Sequence, residues 1–204
     1  MQHLTIELQQ ALQMAGRCLN ITSRKWLLGG SCSLILQGVE VLCPPRDIDL
    51  YADADSVIPL HKAMVQWSVD EQTLNKGGLY SSILSHYELN EAQIELVGAF
   101  IIGSNTFEYR VQVEDTLQLD ASEIEVDGVL MSLTPLSHEL IFNVLRERPD
   151  RYEAISTTMK ENQASHLPLM EKLIRNNKLE DNHIQQIAEL LKAQSLLRYM
   201  TNLS

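Results

Sequence analysis

Apolar residues recur at helical spacing near the start of the chain, where Leu8, Ala11, Leu12, Ala15 and Leu19 follow Thr5, a residue type that caps helices. The pattern predicts an amphipathic helix over about 5–19. Lys25 to Leu28 is a short run ending at Gly29-Gly30, read as a buried strand that turns sharply, and Ser31 to Leu36 reads as a short helix ending near Gly38. Pro44-Pro45 stiffens the loop that follows. Asp47, Ile48, Asp49, Leu50 and Tyr51 then alternate polar and apolar, the period of a half-buried strand.

Val57, Leu60, Ala63, Met64 and Trp67 form a second helical stripe behind Ser56. Lys76-Gly77-Gly78 reads as a turn, and the runs Leu79 to Leu89 and Gln93 to Phe100 pair as a hairpin with Asn90-Glu91 at its tip. Between 101 and 133 the pattern weakens to short strands near Tyr109 to Val113 and Val129 to Leu133. Thr134-Pro135 predicts a helix start, with a capping hydroxyl before proline, and Leu136, Leu140 and Val144 continue the stripe until Pro149 stops it. Asp150 and Glu153 resemble a capping box for a further helix, and more helices are expected near 167–175 and 182–200. Neither repeats nor low-complexity tracts interrupt this order.

Length and composition set the outer bounds. The 204 residues, 45% hydrophobic and 21% charged, suit one globular core of residues 1–150 with a C-terminal helical extension over 151–204. The formal charge of -11 repels a phosphate backbone in the absence of a basic stripe, which disfavours nucleic acid as a partner. Cys18, Cys32 and Cys43 are odd in number and lie at no zinc-ligand spacing, so reduced thiols are expected. With no basic, apolar leader and no run long enough to span a bilayer, the expected compartment is cytoplasmic.

The chemistry gathers around two short motifs. Asp47 and Asp49 lie two apart on one strand, so their carboxylates leave the same face and suit hard cations, which take oxygen ligands. Two such ions clamp the attacking and leaving oxygens of a phosphoryl displacement. Glu95, between apolar Ile94 and Leu96, is the candidate third carboxylate and base, because alternation turns it away from the core. Gly29, Gly30 and Ser31 join strand to helix, where backbone amides and the helix dipole favour a phosphate. Either motif alone is commonplace, as a bend or as a solvated strand face. His138-Glu139 lacks the second histidine of a metalloprotease helix, and Ser31, His86 and Asp47 lack a nucleophile elbow, which disfavours hydrolase chemistry.

In combination, apolar strand, Gly-Gly-Ser, short helix, loop, Asp-x-Asp strand and a later strand with an isolated acid resemble the polymerase-β-like nucleotidyltransferase superfamily, above all its minimal bacterial members. The resemblance covers about residues 20–150 and implies an α+β nucleotidyltransferase fold, a mixed β-sheet flanked by helices. It further implies that Gly30 and Ser31 hold the nucleotide phosphates, that Asp47 and Asp49 bind two Mg2+ ions, and that Glu95 is the third, base-side carboxylate. The implied reaction moves a nucleoside monophosphate from a nucleoside triphosphate, ATP by expectation, to a hydroxyl of a small-molecule or protein acceptor.

Two features depart from that family. Fifteen residues separate Ser31 from Asp47, and Asn143 stands where members often carry a lysine. Triphosphate charge would then fall on metals, backbone amides and Arg46. The alternative class is a catalytically silent module of the same fold that binds a nucleotide or a protein. The sequence leaves the oligomeric state open.

Overall fold

The computed structural model describes residues 3–201; Met1 and Gln2, at the N-terminal stretch read for a leader, lie outside them. In chain order the elements are α1 (Ile6–Ile21), β1 (Leu27–Gly29), α2 (Gly30–Leu36), β2 (Asp47–Ala52), α3 (Ala54–Met64), β3 (Thr73–Gly77), β4 (Tyr80–Leu89), β5 (Ala92–Gly103) and β6 (Glu108–Arg110). A small antiparallel pair, β7 (Glu123–Val126) and β8 (Val129–Ser132), precedes α4 (Leu136–Leu145), α5 (Pro149–Glu161), α6 (Gln163–Asn176) and α7 (Asp181–Leu191).

The first helix forms as its stripe predicts. Thr5 Oγ1 accepts from the Leu8 amide, and Leu8, Leu12, Ala15 and Leu19 are buried on the face that meets α3. One mixed sheet runs in the order β1-β2-β5-β4-β3, with β6 added along β5. Strands β2 and β5 are parallel, and every other pair is antiparallel. The β4–β5 hairpin turns through Asn90 and Glu91, both at positive φ (48° and 67°), a two-residue loop whose twist matches its strands.

Helices cover both faces of the sheet. Val57 of α3 presses on Gly98 of β5, whereas Phe142 of α4 meets the rings of Tyr51 and Phe100 on the opposite face. The segment entering α4 is tied to β1, since the Thr134 amide donates to the Leu28 carbonyl at 2.8 Å. Helices α5, α6 and α7 each pack against α4. No helix of the described residues is long and apolar enough to cross a membrane.

Several local expectations are corrected. Thr73–Gly77 is a fully exposed edge strand, so the turn read at Lys76-Gly77-Gly78 begins two residues later than expected. The strand expected over Tyr109 to Val113 ends at Arg110, because Val113–Leu117 winds into a π-helical turn. Thr134 does not cap α4: its hydroxyl is committed to Glu139, and Pro135 occupies the cap position. Pro149 does not stop α4, which has already ended at Leu145; it supplies the first turn of α5 instead. Asp150 and Glu153 form no capping box, because Arg148 is the cap and takes the Asp150 carboxylate in a two-pronged pair.

Candidate active site

The register of the ladder brings the two motifs together. Gly29 on β1 faces Asp49 on β2, Asp49 faces Glu95 on β5, and Glu95 faces His86 on β4. Residues directly opposite one another across a sheet share a face, and adjacent strands lie ~4.8 Å apart. Asp49, Glu95 and His86 thus form one transverse row, and Asp47 joins the same face two residues before Asp49.

Burial and neighbouring charge both act on the protonation of this row. Burial, then the charges of Asp47, Glu95 and Glu139, push the Asp49 carboxyl up to about 7, with Arg146 pulling the other way. Behind it, Cys32 donates its thiol hydrogen to the Asp47 carbonyl at 3.3 Å, and burial with the same two aspartates drives that thiol far above its usual range. Cys32 is inert packing, in line with the reduced state expected; all three cysteines are free.

The Gly-Gly-Ser turn divides its labour residue by residue. Gly29 is buried, and a Cβ there would strike the Tyr51 ring, so its part is close packing and not ligand contact. Gly30 sits at φ +58°, and a Cβ there would collide with the Asp49 carboxylate. Its amide is already engaged, donating to Glu139 Oε1 at 3.3 Å. Ser31 is half-buried and lines the cleft.

Glu139 is the residue that ties the turn to α4. Wholly buried, it accepts from the Gly30 amide, from Thr134 Oγ1 at 2.7 Å and from Asn143 Nδ2 at 3.4 Å. Burial raises its carboxyl above the ordinary value, and these donors offset only part of the rise. Asn143 is therefore committed within its own helix and brings no charge to the cleft.

A cavity of about 230 Å³ opens between the sheet and α4. Gly30, Ser31, Asp47 and Asp49 line one wall; Glu139, Phe142 and Asn143 line the other, with Arg146, Arg148 and Arg151 beyond them. The lining thus mixes acidic groups with three guanidinium groups, and Arg146 is near enough to oppose the rise of both the Asp49 and the Glu139 carboxyls. Arg46, expected to meet the triphosphate, is exposed and is not among the residues lining this cavity.

The sequence reading passed over these three arginines because acids interrupt them in Arg146-Glu147-Arg148-Pro149-Asp150-Arg151, so no basic run stands out. His86 enters the sequence pattern only within a hydrolase constellation that lacks its nucleophile elbow. In the fold, His86 donates its backbone amide to Asp70 Oδ1 at 2.8 Å, pairs its Nδ1 with the other Asp70 oxygen, and turns Nε2 to within 3.8 Å of Glu95 Oε1. Burial raises the Asp70 carboxyl, yet the bonds from His86 outweigh it and hold that group below its ordinary value.

Among the described residues no three acid, histidine or cysteine side chains are gathered closely enough to hold an ion as they stand. The donor chemistry of Asp47, Asp49 and Glu95 nevertheless fits a hard divalent cation. All their ligating atoms are carboxylate oxygens on one face, and the crowding that raises Asp49 is relieved by positive charge.

No protein-family profile matches the sequence, and no curated protein matches it. Solved structures do. An inferred nucleotidyltransferase from Thermotoga maritima superposes at TM-score 0.61, with 16% identity over 78% of this chain and 97% of that one. The antibiotic-resistance factor ANT(2'')-Ia, in its solution structure, superposes at TM-score 0.51, with 9% identity over 81% of this chain and 90% of that one. At such identities the likeness concerns architecture: the chain has the nucleotidyltransferase fold, as the sequence resemblance implied.

Proposed function

We propose that the chain transfers a nucleoside monophosphate from a magnesium-bound nucleoside triphosphate, ATP by preference, to a hydroxyl of a small-molecule or protein acceptor, with pyrophosphate leaving. The observation that carries this reading is the transverse row of Asp49 and Glu95, with Asp47 beside it, next to a left-handed glycine in a cleft. Asp47, Asp49 and Glu95 would hold Mg2+, drawn together from their present spacing. When bound, the metal supplies Lewis-acid stabilisation of the charge that builds on the transferring phosphate.

The chain's own groups account for the remaining work. Gly30 leaves room for Asp49 to stand against the turn, and Ser31 offers its hydroxyl and amide to a phosphate oxygen. Glu95 would take the proton of an attacking hydroxyl, a role that its position opposite Asp49 on the neighbouring strand supports. A cavity of 230 Å³ falls below the ~300–1,000 Å³ of whole-ligand pockets, so it suits the phosphate end of a nucleotide, with base and acceptor outside it. The net charge of -11 continues to argue against a nucleic-acid acceptor.

The decisive experiment measures nucleotide consumption and pyrophosphate release in purified Asp47→Asn, Asp49→Asn double mutant against the parent chain. Loss of turnover with unchanged thermal unfolding supports transfer; equal turnover sinks it. A second reading, the catalytically silent binding module, is favoured by one specific contact, the Gly30 amide already given to Glu139. Calorimetry separates the two. A nucleotide bound with magnesium but never consumed across a broad acceptor panel selects the module, and no nucleotide binding at all removes both.

A further inference from the structure

Any polyphosphate in this cleft lies among Asp47, Asp49 and Glu139, so its charge must be answered by the basic residues of the same lining. Three guanidinium groups are available there, and their commitments differ. Arg148 is held by Asp150 through two bonds of 2.9 and 2.8 Å, and Arg151 stands 3.6 Å from the same carboxylate. Arg146 forms no ion pair among the described residues. It lies over the Phe142 ring, 5.0 Å from the centroid, at an exposed position on the lip of the cavity.

We propose that Arg146 is the phosphate-docking residue of this chain, taking the polyphosphate tail of the donor nucleotide while Arg148 and Arg151 supply field from behind. The inference rests on the reading of the cleft as a triphosphate site. Residue 146 follows Asn143 by three, so the two share a helix face, on which the neutral Asn143 supplies no positive charge. A guanidinium presents a planar fork that binds two phosphate oxygens at once, and its contact with the Phe142 ring does not occupy its donors. Arg148 and Arg151 also line the cavity, but Asp150 already answers part of their charge. Because Arg146 extends from the C-terminal end of α4 into solvent, removing it leaves the buried core intact.

The test titrates the full chain and its Arg146→Ala and Arg146→Lys variants with inorganic tripolyphosphate, magnesium-ATP and AMP by calorimetry. Removing one charge-assisted fork should weaken both tripolyphosphate and ATP by roughly 10- to 100-fold while AMP shifts by less than about threefold. Lysine should restore only part of the loss, since it keeps the charge and not the fork. Unchanged tripolyphosphate binding by Arg146→Ala overturns the assignment and leaves the transfer reading standing. Equal weakening of AMP also overturns it, because Arg146 would then act as general field. Tripolyphosphate binding that depends on Arg146, in a chain that never consumes a nucleotide, upholds the assignment and defeats transfer. A parent chain that binds neither tripolyphosphate nor ATP defeats both.

Discussion

The two walls of the cleft are built on different principles. The sheet wall is set by backbone pairing: once β1, β2, β5 and β4 are in register, Gly29, Asp49, Glu95 and His86 have no choice but to stand abreast. The helical wall is set by side chains: Glu139 reaches across to the Gly30 amide, Thr134 bonds Glu139, and Asn143 closes the set. A ladder fixes position through many small bonds, whereas a buried carboxylate fixes it through a few costly ones. The acidic half of the site should therefore tolerate chemical change without moving, and the basic half should respond to changes that never touch a ligand.

The largest effect expected is on the sheet wall. Asp49→Asn should reduce nucleotide transfer to background with the fold retained, as read by pyrophosphate release beside far-UV circular dichroism. Glu95→Gln should follow, at roughly 10^2- to 10^4-fold in turnover, the range of a positioned base. If either variant unfolds the chain, the contrast between a ladder-fixed and a side-chain-fixed wall is broken.

Next comes a pH effect behind the helical wall. His138 is buried, shares a hydrogen bond with the Tyr109 hydroxyl at 2.8 Å and leaves its Nε2 without a partner. Burial lowers its folded pKa from 6.5 to about 3. The unfolded state binds the proton more readily, so the stability held with neutral His138 is complete above pH 6.5 and is lost as pH falls toward 3. Over that window His138→Phe should flatten the loss by a few kcal/mol at most, on the order set by the linkage relation, in denaturant titrations at successive pH values. An acid limb identical in parent and variant would remove the effect.

Smaller changes sharpen the contrast. Gly30→Ala meets both a left-handed φ of +58° and the Asp49 carboxylate, so it should cost ~1–3 kcal/mol in chemical denaturation. Ser31→Ala should weaken nucleotide by about one neutral hydrogen bond, ~1 kcal/mol, in calorimetry. Arg46→Ala, at an exposed position off the cavity, should shift neither stability beyond ~0.5 kcal/mol nor nucleotide affinity. A clear loss of binding in that last variant would mean that the loop before β2 belongs to the site after all.

The same division explains what could be read from the sequence. Asp47, Asp49 and Glu95 are legible because strand alternation is a local rule that assigns a face to each residue without knowledge of its neighbours. The mixed sheet and its flanking helices were implied by the family resemblance, whereas periodicity alone places α1 almost to the residue. Their transverse alignment was not legible, since register depends on which strands pair. Glu139 was hidden for a related reason. Its partners lie 109 residues away at Gly30 and five away at Thr134, and its own helix shows no motif that marks it out. The arginines disappeared among acids that they neutralise, Asp150 above all. Pro149 was taken for a stop because proline ends a helix as readily as it starts one; what decides is the turn at Arg146 that comes first.

The bond from the Thr134 amide to Leu28 carries a mechanical consequence. It fastens the root of α4 to the edge strand β1 beside the opening, within two residues of Gly30, so the jaws share a common anchor and lack the slack of a hinged pair. Such a clamp gauges what enters it by girth, and selectivity would have to come from the shape of the guest, not from closure around it.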